Sequence, residues 1–429
     1  MLPPVSRPLL VSPADEVDVV VVGAGAAGIG AARHCLAAGL SVAVVEARDR
    51  VGGRAVTAAF GGHPIDLGAH WLHAGALNPL VRLGLARGER LRRAPPDSHL
   101  VVNGRPASGR DRALQAPGFD RMDRAIMESA RVEQDVSLEH VRPTLGRWGR
   151  ALRQTFALIS GRPLREVSAQ DFPSEEFGDN YFVHGGYGAF LARLAAGLPV
   201  ALGAEVQAID WSGRGVVIET QRGSFRARAA ILTLPVPVLQ AGVIRFTPAL
   251  PHATQDAIAG FLPGTYEHVV LNWPDAPFRG PDRLAKLVGS RWDLGMMTWM
   301  DRAPFHYLEL DHETASGLAG PAEAARFARS RLHEHFGGRA LARLRVLTVT
   351  EWNRDPWAGC AWAVVPPGRH RDRECLAQAV GDRIWIAGEA TSRTQWGTAG
   401  GAWEEGERAA ERVAAALGRS AAGVSSVVE

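Results

Sequence analysis

Two patterns of apolar positions recur along this chain: continuous apolar runs predict strands, and helical apolar spacing predicts helices. Val19 to Val22 form a run of β-branched apolar residues, read as a buried strand, that ends at Gly23, Gly25 and Gly28. An Ala-rich stretch follows and predicts a helix carrying Cys35. A second apolar run, Val42 to Val45, stops at Glu46. Farther on, strands are expected over Val206–Trp211, Gly215–Thr220 and Ala229–Thr233, with a Gln221-Arg222-Gly223 turn between the second and third. Residues 79–183 are different: Arg-rich, with helical apolar spacing through Leu91, Ala125, Ile126, Met127, Val136, Leu145, Trp148, Leu152 and Phe156, and no strand alternation. Val183 to Leu198 reads as a glycine turn feeding an amphipathic helix. There is no internal repeat, and the small polar tail after Leu417 reads as frayed.

The order strand, glycine turn, helix, strand, acid implies a dinucleotide site. Gly23 makes the tight turn, Gly25 lets a pyrophosphate approach the backbone, and Gly28 lets the helix pack close on the strand. The helix N-terminus then offers free N–H groups and the positive end of its dipole to phosphate. Glu46 closes the second strand and is placed to accept hydrogen bonds from a ribose diol. A Gly/Ala-rich packing turn is the plainer alternative for the glycines alone. Downstream, Arg48, Arg50 and Arg54 flank a second glycine turn at Gly52-Gly53, and forked guanidinium donors suit the rest of an extended pyrophosphate.

Length and composition change this picture little. A chain of 429 residues is more than one hydrophobic core usually serves, so two domains are expected, with ordinary 46% hydrophobic content. No apolar stretch is long and uncharged enough to span a bilayer, and the proline-bearing first residues have no signal-peptide core, so a cytoplasmic location is expected. Cys35, Cys360 and Cys375 make no disulfide framework, and no metal site is expected. A net charge of +3 with scattered basic residues gives no support for nucleic-acid binding. Of the 48 basic residues only Lys286 is a lysine.

Several motifs, spread in order over nearly the whole chain, resemble the flavin-containing amine oxidase family of monoamine oxidases, polyamine oxidases and histone lysine demethylases. They are Glu46-Ala47-Arg48 with Gly53-Arg54, then Gly68-Ala69-His70-Trp71, Gly388-Glu389 in Ile386–Thr391, and Gly400–Gly406. The resemblance implies FAD as cofactor, held by Gly23, Gly25, Ala27, Gly28, Glu46, Ala47, Arg48, Gly53, Arg54, Gly68, Ala69, His70, Trp71, Val206, Gly388, Glu389, Thr398 and Ala399, with Val206 meeting the adenine through its backbone. It implies an α/β fold: a Rossmann-like, three-layer FAD-binding domain from residues 1–78, 184–265 and 357–429, and a discontinuous α+β substrate domain from 79–183 and 266–356. It further implies amine oxidation, in which hydride passes from the carbon next to nitrogen to the flavin. The imine is then hydrolysed, and O2 or another acceptor reoxidises the flavin. The substrate would be a polyamine or another secondary or primary amine, and oligomeric state is not implied.

The chain also departs from the family. Aligning Val269-Val270-Leu271 with the family strand puts His268 where a lysine usually holds a water near the flavin, with Lys286 too far along the chain to replace it. His268 is either that water's new holder, titrating near neutral pH, or a strand histidine against the ring edge. Ala361 and Thr398 fall where monoamine oxidases carry two cage tyrosines. Trp299, Trp362 and Trp396 could supply a wall instead, although strand alternation would turn Trp362 away from Ala361. Trp352 resembles the tryptophan near the flavin's dimethylbenzene edge, and Cys360 falls where monoamine oxidases attach the flavin, so either a covalent link or a buried structural thiol is open. His73 resembles a histidine on the substrate side in polyamine oxidases, where it would take the ammonium's proton or hydrogen-bond a secondary amine; satisfying backbone groups is its alternative. Glu175, Glu176, Asp179 and Glu267 are candidates for holding a distant ammonium. The missing lysine and cage leave a desaturase acting on a carbon–carbon bond as the alternative function, and a binding-only flavoprotein as a third.

Overall fold

A computed structural model describes residues 16–96, 98–130, 133–172, 179–289 and 293–418. The valine-rich run forms the strand Glu16–Val22, fully buried at Val19, Val20 and Val21, and lies parallel to Val42–Glu46 on one side and Gly223–Leu232 on the other. These are central strands of an eight-stranded sheet ordered 245–247, 206–210, 216–220, 223–232, 16–22, 42–46, 200–202, with 384–386 beside the end of 223–232. Strands buried on both faces need continuous apolar runs, which is why this part of the sequence reads so plainly. The helices Ala26–Ala37 and Ala399–Ala416 cover one face, where Cys35 packs in the core.

One strand differs from expectation. The segment expected to begin at Ala229 begins at Gly223, because its first half pairs antiparallel with 216–220 and its second half parallel with 16–22. Its polar residues before Ala229 alternate with buried ones and face solvent on one side only, so the continuous apolar run marks just the second half of the strand.

The second sheet has seven strands, ordered 345–349, 267–272, 305–310, 294–298, 283–288, 99–102, 105–106. Its odd-numbered positions Val269 and Leu271, with Leu308 and Leu310 of the neighbouring strand 305–310, pack with Ala324, Ala328 and Leu332 of the helix Pro321–Ala340. The opposite face looks toward helices Gly109–Ser129 and Gly149–Ser160. The helical spacing seen in residues 79–183 is thus realised, but that region also holds strands Leu91–Arg93, His99–Val102, Arg105–Pro106 and Tyr181–Val183. Each is too short for alternation to register, and His99–Val102 owes its strand to pairing with 285–288. Among the described residues no helix is long and apolar enough to cross a membrane. The tail beyond residue 418 lies outside the described residues.

Candidate active site

A single elongated cavity of about 530 Å³ runs from the first glycine turn to the second sheet. One end is built from the turn itself. Gly23 has φ +101°, a left-handed conformation that suits glycine, and a Cβ on Gly28 would lie 1.9 Å from the Gly23 carbonyl oxygen. Gly28 therefore stands behind the cavity wall, where its lack of a side chain lets helix 26–37 seat against the strand. The other residues expected to hold the cofactor, from Gly23, Gly25 and Ala27 through Glu46, Ala47, Arg48, Gly53 and Arg54 to Gly68, Ala69, His70, Trp71, Val206, Gly388, Glu389, Thr398 and Ala399, all line it. So do His73, His268 and Trp352.

Buried Glu46 is fixed by two backbone donors: Ala24 N–H at 2.7 Å to Oε2 and Arg48 N–H at 2.9 Å to Oε1. Each carboxylate oxygen keeps a lone pair for a diol. No side chain caps helix 26–37, so its first N–H groups remain for an anion. The second glycine turn faces the first, with a Cβ on Gly53 only 3.1 Å from Gly25 Cα, so the pair form a cradle that side chains would fill. This arrangement fits FAD.

The arginines of the second glycine turn also have partners within the protein. Arg48 is held in a forked pair by Asp355, at 2.9 and 2.6 Å, and lies over the Trp357 ring. Arg50 donates to the carbonyls of Val51 and Gly53. Arg54 donates to the Ala361 carbonyl at 2.9 Å and pairs with Glu389 at 3.1 Å. These guanidinium groups brace the cradle, and long side chains find such partners only once the chain is folded. Cys360 is fully buried against Arg54 and does not line the cavity, and burial pushes its thiol up to about 12. A thiol so protonated makes a poor nucleophile.

At the other end the wall is aromatic and the imidazoles are neutral. His268 lies edge-on to Tyr266 at 4.5 Å, to His70 at 5.2 Å and to Tyr307 at 5.4 Å between ring centroids. Burial drives its pKa well below the ordinary value, followed by the neighbouring His70, and burial lowers His70 and His73 to about 4. Titration near neutrality, expected for an exposed His268, is thus removed by its surroundings. His73, stacked on Trp71, is for the same reason a weak base toward an ammonium. The Nε2 atoms of His268 and His70 are buried and have no hydrogen-bond partner among the described residues.

Burial of imidazoles in the neutral form has a consequence for stability. His70, His73, His268 and His306 all have folded pKa values below 6.5, His306 at about 4 through burial. As pH falls from about 6.5 toward about 4, the unfolded chain takes up protons that the folded chain refuses, so stability present above 6.5 is lost. The thermal midpoint should fall steadily over this range, and a flat profile would mean that these imidazoles accept protons while folded.

Ala361 and Thr398 both line the cavity, as does Trp396. Trp362 lines it too, next to Ala361, because residues 359–362 bend and the strand begins only at Ala363. Its Nε1–H is anchored on the Ser160 carbonyl at 3.0 Å. Trp352 is fixed by Leu67 O at 2.8 Å, whereas Trp299 donates to Phe278 O and packs behind the sheet. Of the acids proposed for a distant ammonium, Glu267 faces away and accepts from Thr350 Oγ1 and Asn353 N, Asp179 pairs with Arg93 outside the cavity, and Glu175 and Glu176 lie outside the described residues.

Three ionisable residues of the substrate part of the cavity are not singled out by the sequence motifs. Glu309, Lys286 and Asp293 line the cavity, Asp293 in a forked pair with Arg150 at 2.7 and 2.9 Å. Glu309 Oε1 accepts the Tyr266 hydroxyl at 2.6 Å, and burial raises its pKa. Lys286 is too far along the chain to replace the strand lysine, yet the sheet brings it onto the same face as His268. The available signal was its being the only lysine among 48 basic residues.

The family model described as "Flavin containing amine oxidoreductase" matches residues 26–414. The "Lysine-specific histone demethylase 1 homolog 1" of Oryza sativa subsp. japonica is 28% identical, aligning 99% of this chain and 55% of its own length. "Lysine-specific histone demethylase 2" of Homo sapiens is 28% identical over 93% of this chain and 53% of its own, so the chain spans about half the length of these relatives. "Polyamine oxidase 4" of Oryza sativa subsp. japonica is 27% identical over 96% of this chain and 90% of its own. A solved structure of putrescine oxidase bound to putrescine has the same fold, with TM-score 0.78 and 21% identity over 94% of this chain and 99% of that one.

Proposed function

This chain belongs to the flavin containing amine oxidoreductase family, and from that premise we propose that it oxidises an amine at the carbon next to nitrogen, yielding an imine that water hydrolyses. The cofactor is FAD, for which the glycine cradle, Glu46 and the uncapped helix provide the site, and when bound it supplies a two-electron acceptor. We place it there without a bond to Cys360. The FAD-binding part is assigned to residues 1–78, 184–265 and 357–429, and the substrate part to 79–183 and 266–356.

The observation that carries this reading is the end wall of the cavity. Tyr266, Trp362, Trp396, His73 and His268 enclose a space with no ionised group among those five, since both imidazoles are held neutral. An ammonium entering it is disfavoured and gives up its proton, which leaves the nitrogen lone pair available. Glu309 stands next to His268 in the sheet and is raised by burial, so it is the side chain placed to take that proton. Tyr266 fixes one oxygen of Glu309 and leaves the other to act. The unpartnered Nε2 of His268 orients the nitrogen, or the water that later attacks the imine. O2 is the acceptor that completes the cycle.

Anaerobic mixing of the yellow protein with primary amines, polyamines and cyclic secondary amines tests this directly. Loss of the visible flavin absorbance with one group of amines is expected. If dithionite bleaches the flavin and no amine does, amine oxidation is wrong, and a desaturase becomes the better reading.

A further inference from the structure

The second sheet sets four positions in one row across its strands. His268 is paired with Glu309, Glu309 with Gly295, and Gly295 with Lys286. All lie on the face opposite the helix 321–340, since their odd-numbered or even-numbered neighbours Val269, Leu308, Met296, Ala285 and Leu287 pack with that helix. The row therefore crosses the cavity from the His268 end to a far end walled by Phe119, Leu158 and Lys286. Glycine at 295 is needed for it: a Cβ there would come within 2.1 Å of Glu309 Oε2 and 3.0 Å of Leu158 Cδ1.

Lys286 has an unusual position in this row. Among the described residues its ammonium makes neither a hydrogen bond nor an ion pair; its contact is the Phe119 ring, 5.3 Å from Nζ to the centroid. Asp293 is already occupied by Arg150, and Glu309 leans on Tyr266. Burial disfavours this ammonium, and Glu309, the described side chain that favours it, acts from beyond ion-pair distance, so an anion that reached Lys286 directly would offset the cost of burial. Arginine fills every other basic position in the chain, so the one compact, rotatable ammonium stands where a ligand can approach.

We infer that Lys286 is an anion-binding residue at the far end of the substrate cavity, and that the substrate is an amine with a carboxylate at its other end. This deepens the proposed amine oxidation and rests on it. Glu309 and Lys286 are two strands apart, roughly 10 Å at the backbone, so an unbranched ω-amino acid can place its nitrogen by Glu309 and His268 while its carboxylate meets Lys286.

The test compares ω-amino acids of about four to about nine carbons with alkylamines and diamines of equal length, reading the concentration dependence of anaerobic flavin bleaching. In parallel, hexanoate, which has no amine to oxidise, is titrated calorimetrically into the FAD-loaded protein. Expected are half-saturating concentrations at least about tenfold lower for the best amino acid than for the matching alkylamine. Lys286→Met should erase that preference and weaken hexanoate at least about tenfold, while Lys286→Arg keeps the preference. If amines bleach the flavin with no preference for the carboxylate, or diamines are preferred, the inference is wrong and amine oxidation stands. If no amine bleaches it but hexanoate binding needs Lys286, the anion site stands and amine oxidation falls. Should Lys286→Met not fold, the wild-type series decides alone.

Discussion

Gly28→Val should give a protein that retains little FAD, with at least about tenfold weaker cofactor binding and a corresponding loss of the yellow colour on gel filtration. The cause is local. A Cβ at this position would stand 1.9 Å from the Gly23 carbonyl oxygen and 2.9 Å from its carbon, both backbone atoms that cannot swing aside. Helix 26–37 must then back away from the strand that feeds it, and its uncapped N–H groups leave the place where a pyrophosphate would meet them. Gly109→Ala is the matched control, because a Cβ there meets nothing within 4 Å. Full FAD retention by Gly28→Val, measured as flavin absorbance per protein, would show that the helix position is not what holds the cofactor.

Arg373→Met should lower stability by about 3–5 kcal/mol, seen as a markedly reduced thermal midpoint of the FAD-loaded protein. Arg373 and Asp171 are 1% and 5% exposed and form a forked pair at 2.7 and 2.9 Å. The same guanidinium donates to the carbonyls of Ala390 and Ala363 and lies 5.0 Å from the Trp396 ring centroid. Trp396 and Ala390 line the cavity, so this network is the back of its wall. Removing the arginine strands a buried carboxylate and two carbonyls, which is why the loss exceeds that of an exposed pair. The double variant Arg373→Met with Asp171→Leu should recover much of the loss, because both charges leave together. No recovery would assign the loss to packing against Trp396 instead of to the stranded charge.

What could be read in advance follows from how local each signal is. The stretch Glu16–Glu46 was legible because strand, glycine turn and helix are each set by neighbours within a few residues, and the central strands are apolar on both faces. His268 and Trp352 could be assigned through family motifs, and both line the cavity. The protein partners of the arginines at the second glycine turn could not be read for the opposite reason: Asp355 and Ala361, which engage Arg48 and Arg54, lie more than three hundred residues along the chain. The protonation of His268 and His73 was equally out of reach, since burial sets it and burial belongs to the folded molecule.

By itself the sequence determined the dinucleotide turn, the acid that follows it, the family and hence the cofactor, because these are written in short contiguous motifs with local backbone geometry. Only the tertiary structure decided which charges share the cavity. Strand pairing alone puts His268, Glu309, Gly295 and Lys286 in one row, although Lys286 is 18 residues from His268 and Glu309 is 41. Hydrogen bonds between backbones make that register, and they carry no mark in the side chains they bring together.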